Sequence, residues 1–75
     1  MPVKRSHPLL KRVGTRLRRA RKRLGVSQEN VALSAGLDRS FVSGLERGEH
    51  NTSILALAKL AKVLGVTLAS LLEGE

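Results

Sequence analysis

Arg39, Ser40, Ser43, Gly44 and Arg47 recur at intervals that gather them on one side of a helix, while Val42, Leu45 and Glu46 fall on the other. A guanidinium can fork onto the O6 and N7 of guanine, and a serine hydroxyl can bond a base edge or a phosphate. A short-chained polar strip led by an arginine at the helix N-terminal end is therefore suited to a DNA major groove. Catalysis fits poorly. Seven serines and two histidines form no legible Ser-His-acid constellation, and no glycine-rich phosphate loop is present. There is no cysteine, and neither His7 nor His50 has clustered carboxylates beside it. No enzyme activity, metal or other cofactor is expected.

The elements that must hold this strip are helices. Leu10, Val13, Leu17, Ala20 and Leu24 are spaced three and four apart, which makes a first helix with arginines on its other faces. Gly14 weakens its start, so the helix is expected to become firm from Val13. Ser27 is an N-cap for a second helix, Gln28 to about Ala35, although Asn30 stands where a capping box wants Glu or Gln. Gly36 turns the chain, and Asp38 is expected to cap a third helix, Arg39 to about Arg47. A fourth helix follows from Ile54 to Leu64, and Thr67 caps a short fifth, Leu68 to Leu72. The fold class predicted is all-α, a compact five-helix bundle, since no valine-rich stretch alternates as a strand would. Ala32, Val42, Val31, Ala35, Leu37 and Leu45 make an apolar wedge that lets the second and third helices cross steeply.

Seventy-five residues make one domain at most, with no room for a deep pocket. Lys and Arg number 14 against 6 Asp and Glu, a net charge of +8 that points first to nucleic acid. The excess lies in residues 1–25, which hold ten basic residues and no acid. Residues 1–8 read as a basic arm, with Lys4 and Arg5 within reach of DNA, and residues 9–75 as the domain. Leu9-Leu10 is cut off at once by Lys11-Arg12, which excludes a secretory signal. Lys59 and Lys62 exclude a span over Ile54–Leu72 and hence a membrane partner. The expected location is cytoplasmic. Single-stranded RNA is disfavoured by the scarcity of aromatic residues for stacking.

The segments LRRARKRLGVSQENVA, GLDRSFVSGLERGEHNTS and LAKLAKVLGVTLASLL together resemble the phage-repressor/Cro-type (XRE) helix-turn-helix family, over about Val13 to Leu72. Within it, DRSFVSGLERGEHN is most similar to the controller proteins of restriction–modification systems. The resemblance implies a lambda-repressor-like five-helix domain that binds double-stranded DNA as a homodimer on a two-fold operator. It implies base contacts from Asp38, Arg39, Ser40 and Ser43, and backbone contacts from Gln28, Arg47, Asn51 and Thr52. Arg16 is added as a backbone contact from the basic first helix. Arg21 and Glu46 match a pair that ties the first helix to the third. Glu46 lies on the inner face, where an unpaired carboxylate is costly.

Phe41 flanks Leu45 and is read as packing in preference to touching a thymine methyl. Leu55 and Val63 lie off the main stripe of the fourth helix and, with Leu68 and Leu71 of the fifth, are expected to form the dimer interface. The function read is a sequence-specific transcriptional regulator that blocks or recruits RNA polymerase according to operator position. An antitoxin that neutralises a partner protein and regulates its own operon is the alternative.

Overall fold

The computed structural model describes residues 7–73, in the order α1 (Pro8–Leu24), α2 (Gln28–Ala35), α3 (Arg39–Glu46), α4 (Ile54–Leu64) and α5 (Leu68–Leu72). Residues 1–6 of the expected basic arm, including Lys4 and Arg5, lie outside the described residues. No strand occurs among the described residues, and none of the helices is long and apolar enough to cross a membrane.

Local chemistry explains most boundaries. Ser27, Ser53 and Thr67 each accept a hydrogen bond from the backbone N–H three residues on, at 3.0, 3.1 and 3.0 Å, and so open α2, α4 and α5. The second and third helices are joined through Gly36, whose φ of +70° is a left-handed turn conformation that residues with a Cβ seldom adopt. Asp38 departs from expectation. It occupies the N-cap position of α3 with extended backbone, but its side chain makes no cap hydrogen bond. Its carboxylate stays exposed at the tip of α3.

The first helix starts earlier than Val13. Pro8 fits its first turn, and His7 Nδ1 accepts from the Leu9 N–H at 3.1 Å. Gly14 is no weak point. It is buried where α1 crosses the end of α3, and a Cβ there would overlap the Leu45 carbonyl oxygen and stand 2.7 and 2.9 Å from the Glu46 carbonyl oxygen and carbon. The close crossing of two backbones requires glycine, and its modest helix propensity is outweighed.

The core sits among all five helices. Val13, Leu17 and Ala20 of α1 meet Val31, Ala32 and Ala35 of α2, Val42 and Leu45 of α3, and Leu57, Leu60, Ala61 and Leu64 of α4. Leu71 closes it from α5 and is 1% exposed. Leu71 is therefore a core residue and not part of a dimer interface, because a five-residue helix has only one leucine well placed to seal the gap between α1 and α4. Leu24 departs in the other direction. It lies in the last turn of α1, past the packed region, and is 52% exposed, while Val26 in the following loop packs on the core in its place.

Gly14→Ala tests the α1–α3 crossing. Alanine is the better helix former, so propensity alone forecasts a gain of up to about 1 kcal/mol. The overlap with fixed backbone instead forecasts a loss of roughly 1–3 kcal/mol, or a fall in Tm of about 4–20 °C. Thermal unfolding of this variant beside Arg18→Ala, an exposed position on the same helix, decides the sign.

Candidate nucleic-acid interface

The orientation of α3 is set by a buried polar cluster at its C-terminal end. Arg21 of α1 grips Glu46 with two parallel hydrogen bonds, Nε to Oε2 at 2.6 Å and Nη2 to Oε1 at 3.0 Å. The two side chains are 12% and 3% exposed. Arg21 Nη1 also donates to the Val26 carbonyl at 2.9 Å, which ties down the α1–α2 loop. Gln28, the first residue of α2, adds a third donor to the carboxylate, Nε2 to Oε1 at 3.0 Å. The hydrogen bond to Glu46 raises the Arg21 pKa above its ordinary value against the opposing effect of burial, so the guanidinium holds its proton more firmly still. One carboxylate thus fastens α1, α2 and α3 together.

This arrangement changes the reading of Gln28. It is half-buried and directed at Glu46, so it serves first as a brace between α2 and α3. One amide hydrogen and the N-terminal backbone of α2 are what it can still offer to a phosphate.

The face of α3 directed away from the core begins with Asp38, Arg39 and Ser40, all exposed and with no tertiary partner among the hydrogen bonds of the described residues. Ser43, one turn further on, is half-buried and accepts a hydrogen bond from Arg47 Nη1 at 2.6 Å. Arg47 Nε also pairs with Glu49 Oε1 at 3.1 Å, with both side chains about half exposed. Arg47 is thus held across the end of α3 by a serine and a carboxylate. A phosphate would have to take the place of Glu49.

Gly44 is not part of the open face. It is buried beneath the ring of His50, and any Cβ there would run into that ring. His50 in turn stacks on Phe41, with ring centroids 5.8 Å apart and planes 21° from parallel. Phe41 is half-buried against the core, as a packing residue. The loop from Gly48 to Ser53 folds back over α3 through this stack. The only sequence signal for it is that Phe41 and Gly44 lie one turn apart, leaving room for a ring. Asn51 is exposed and Thr52 half-buried on the same loop.

Arg16 is elsewhere. It is half-buried against α5, where Nη1 donates to the Ser70 carbonyl at 3.4 Å, roughly 140° around α1 from Arg21. The reason is that the α3-facing side of α1 is taken by Gly14 and Arg21, and Arg16 falls on the opposite side. The structure therefore gathers Asp38, Arg39, Ser40, Ser43, Arg47, Asn51 and Thr52 around α3 and its following loop, with Gln28 behind them and Arg16 apart.

Two short helices crossing through a glycine turn, the second with a solvent-facing polar edge, define a helix-turn-helix DNA-binding domain. Residues 17–71 match the family model described as helix-turn-helix, and the chain belongs to that family, whose members are DNA-binding transcription regulators. The control protein C.MunI of a Mycoplasma species is 39% identical over 61 residues, covering 80% of this chain and 82% of its own. The crystal structure of the restriction–modification controller protein C.AhdI from Aeromonas hydrophila has a TM-score of 0.80 at 45% identity, over 83% of this chain and 94% of that one. SinR of Bacillus subtilis, a master regulator of biofilm formation solved in complex with DNA, has a TM-score of 0.78 at 37% identity, over 81% of this chain and 98% of that one.

Removing one partner of the buried pair should be far more damaging than removing one of the exposed pair. Glu46→Ala is expected to cost about 3–5 kcal/mol, a large share of a small domain's stability. Glu49→Ala should cost about 0–1 kcal/mol. Urea unfolding of both checks this. A double-mutant cycle of Arg21→Ala with Glu46→Ala should show losses well short of additive.

Proposed function

We propose that this DNA-binding regulator acts as a homodimer on a two-fold operator, laying α3 in the major groove of each half-site, in the manner of a restriction–modification controller. The observation that carries the reading is the open edge of α3, where the side chains of Asp38, Arg39 and Ser40 are exposed at the helix tip and make no hydrogen bond among those of the described residues. Arg39 would fork onto a guanine, Asp38 would accept from a cytosine N4, and Ser40 with Ser43 would complete the base contacts. Arg47, Asn51, Thr52 and the start of α2 at Gln28 would grip phosphates and fix the register.

Dimerisation is supported by large apolar side chains that the fold leaves in water. Ile54 and Leu55 at the start of α4 are 59% and 74% exposed. Val63 and Leu68 are half-buried and can contribute their outer edges. The similarity to C.MunI and C.AhdI supports the controller reading. RNA polymerase would be blocked or recruited according to where the operator lies. Selection of bound sites from random duplex DNA tests the whole reading. A dimer should return an inverted repeat with half-site centres about 34–36 Å apart or a multiple of that. A single asymmetric site together with a monomeric mass at micromolar concentration would refute it.

Base reading and backbone grip should separate. Arg39→Ala should cost roughly 1–3 kcal/mol on the selected operator and relax one base pair per half-site, with a smaller loss on scrambled duplex. Arg47→Ala should weaken both duplexes and reduce the salt slope by about one unit for each phosphate it no longer neutralises. Glu49→Gln should strengthen binding to both, because it frees Arg47 from its internal partner. Titrations of the two duplexes at several salt concentrations supply all three comparisons.

A further inference from the structure

Gly44 lies on the side of α3 away from the core but brings no side chain to it. It follows Ser40 by four residues and precedes Arg47 by three, so the three positions share one strip of the helix. The space above the glycine is nevertheless occupied. A Cβ built at Gly44 would run into Cδ2 and Nε2 of His50 and stand 3.1 Å from its Cγ. The imidazole takes the place that a side chain at position 44 would take, and Nδ1 lies on the ring edge away from the glycine.

The ring is held there. It stacks on Phe41 with centroids 5.8 Å apart, and Phe41 is itself packed on the core. The backbone leading to it is tied to the end of α3, since the Gly48 N–H donates to the Leu45 carbonyl and the Glu49 N–H to the Gly44 carbonyl, both at 3.0 Å. His50 stays exposed all the same, and its ring nitrogens make no hydrogen bond among the described residues. Covering a glycine and stacking on Phe41 need only a flat apolar ring. The two nitrogens, at least one of them an N–H donor in either charge state, are left over by the fold.

We propose that His50 reads a base edge in the major groove, supplying from the loop the side chain that α3 lacks at Gly44. The inference rests on the reading that α3 lies in that groove. The major groove admits an α-helix with its side chains, and a ring seated on glycine adds no more bulk there than a side chain at position 44 would. A base contact demands a donor held in a fixed orientation, which the Phe41 stack and the glycine bed provide.

The test is selection of bound sites from random duplex DNA with the full-length parent, H50F, H50A and R39A, followed by titration of the selected operator and a scrambled duplex. H50F keeps a ring over Gly44 and against Phe41 but removes both nitrogens, and H50A removes the ring as well. Circular dichroism verifies that each variant is folded. H50F should weaken the operator at least about fivefold, through one lost hydrogen bond in each half-site, and the scrambled duplex less than about twofold. Both His50 variants should lose preference at the same base pair of each half-site, a different one from that relaxed by R39A. Should the larger ring of H50F disturb the loop, the H50A selection decides alone, because lost packing weakens every sequence alike and lost base reading does not. H50F binding the operator within about twofold of the parent would make the ring a packing element and overturn the proposal. So would equal losses on the two duplexes, which mark a phosphate contact, or unchanged preference at every base pair in both variants. If R39A relaxes a base pair and the His50 variants relax none, the His50 inference alone fails. If none of the three relaxes any, the placement of α3 in the groove fails with it.

Discussion

The carboxylate of Glu46 is the point on which the rest of the architecture depends. A charge buried to this degree is tolerable only with its hydrogen-bonding capacity filled. Arg21 supplies two bonds and Gln28 a third, each from a different helix. Meeting that demand brings the end of α1, the start of α2 and the end of α3 to one point. The angle at which α3 projects from the body follows from it. Hydrophobic burial could hold the helices together in several arrangements, since apolar contact is non-directional. A bidentate pair with a third donor admits far fewer.

Small residues make that convergence possible. Gly14 lets the α1 backbone approach the carbonyls at the end of α3, where Glu46 itself sits. Gly44 receives the His50 ring, and Gly48 lies against the α1 backbone at Lys11, where a Cβ would be 2.8 Å from the Lys11 Cα. The loop after α3 is thereby pressed onto both α1 and α3. Asn51, Thr52 and Arg47 are consequently held at a constant distance from the exposed tip of α3. The placement of the α3 tip relative to the loop that follows it rests on these three close approaches.

Charge is sorted around α1 in the same way. The α3 side is neutralised internally by Glu46, while Arg16, Arg19 and Arg23 lie on the α5 side. A single helix therefore presents a structural arginine to α3 and further arginines toward α5. Arg16 belongs to the second group, bonded to the Ser70 carbonyl on the side of α1 away from α3.

Much of this was legible in the residue order, because caps, stops and apolar spacing act locally. Ser27, Ser53 and Thr67 announce the helices they open, Gly36 announces the turn, and three- and four-residue spacing of Val13, Leu17 and Ala20 announces the buried side of α1. The strip from Arg39 to Arg47 could be assigned to one face by helical periodicity, and Glu46 to the other. What only the tertiary structure decided concerns neighbours distant in sequence. A wheel cannot show that His50 returns to cover Gly44, that Glu49 occupies Arg47, or that Gln28 turns inward to Glu46. Nor can it show that Gly14 meets backbone and not solvent, that Arg16 falls against α5, or that Leu71 is spent on sealing the core while Leu55 stays in water. Helix formation follows from interactions within a turn or two of chain, whereas each of these outcomes depends on which helix packs beside which, and that is settled only when the whole core closes.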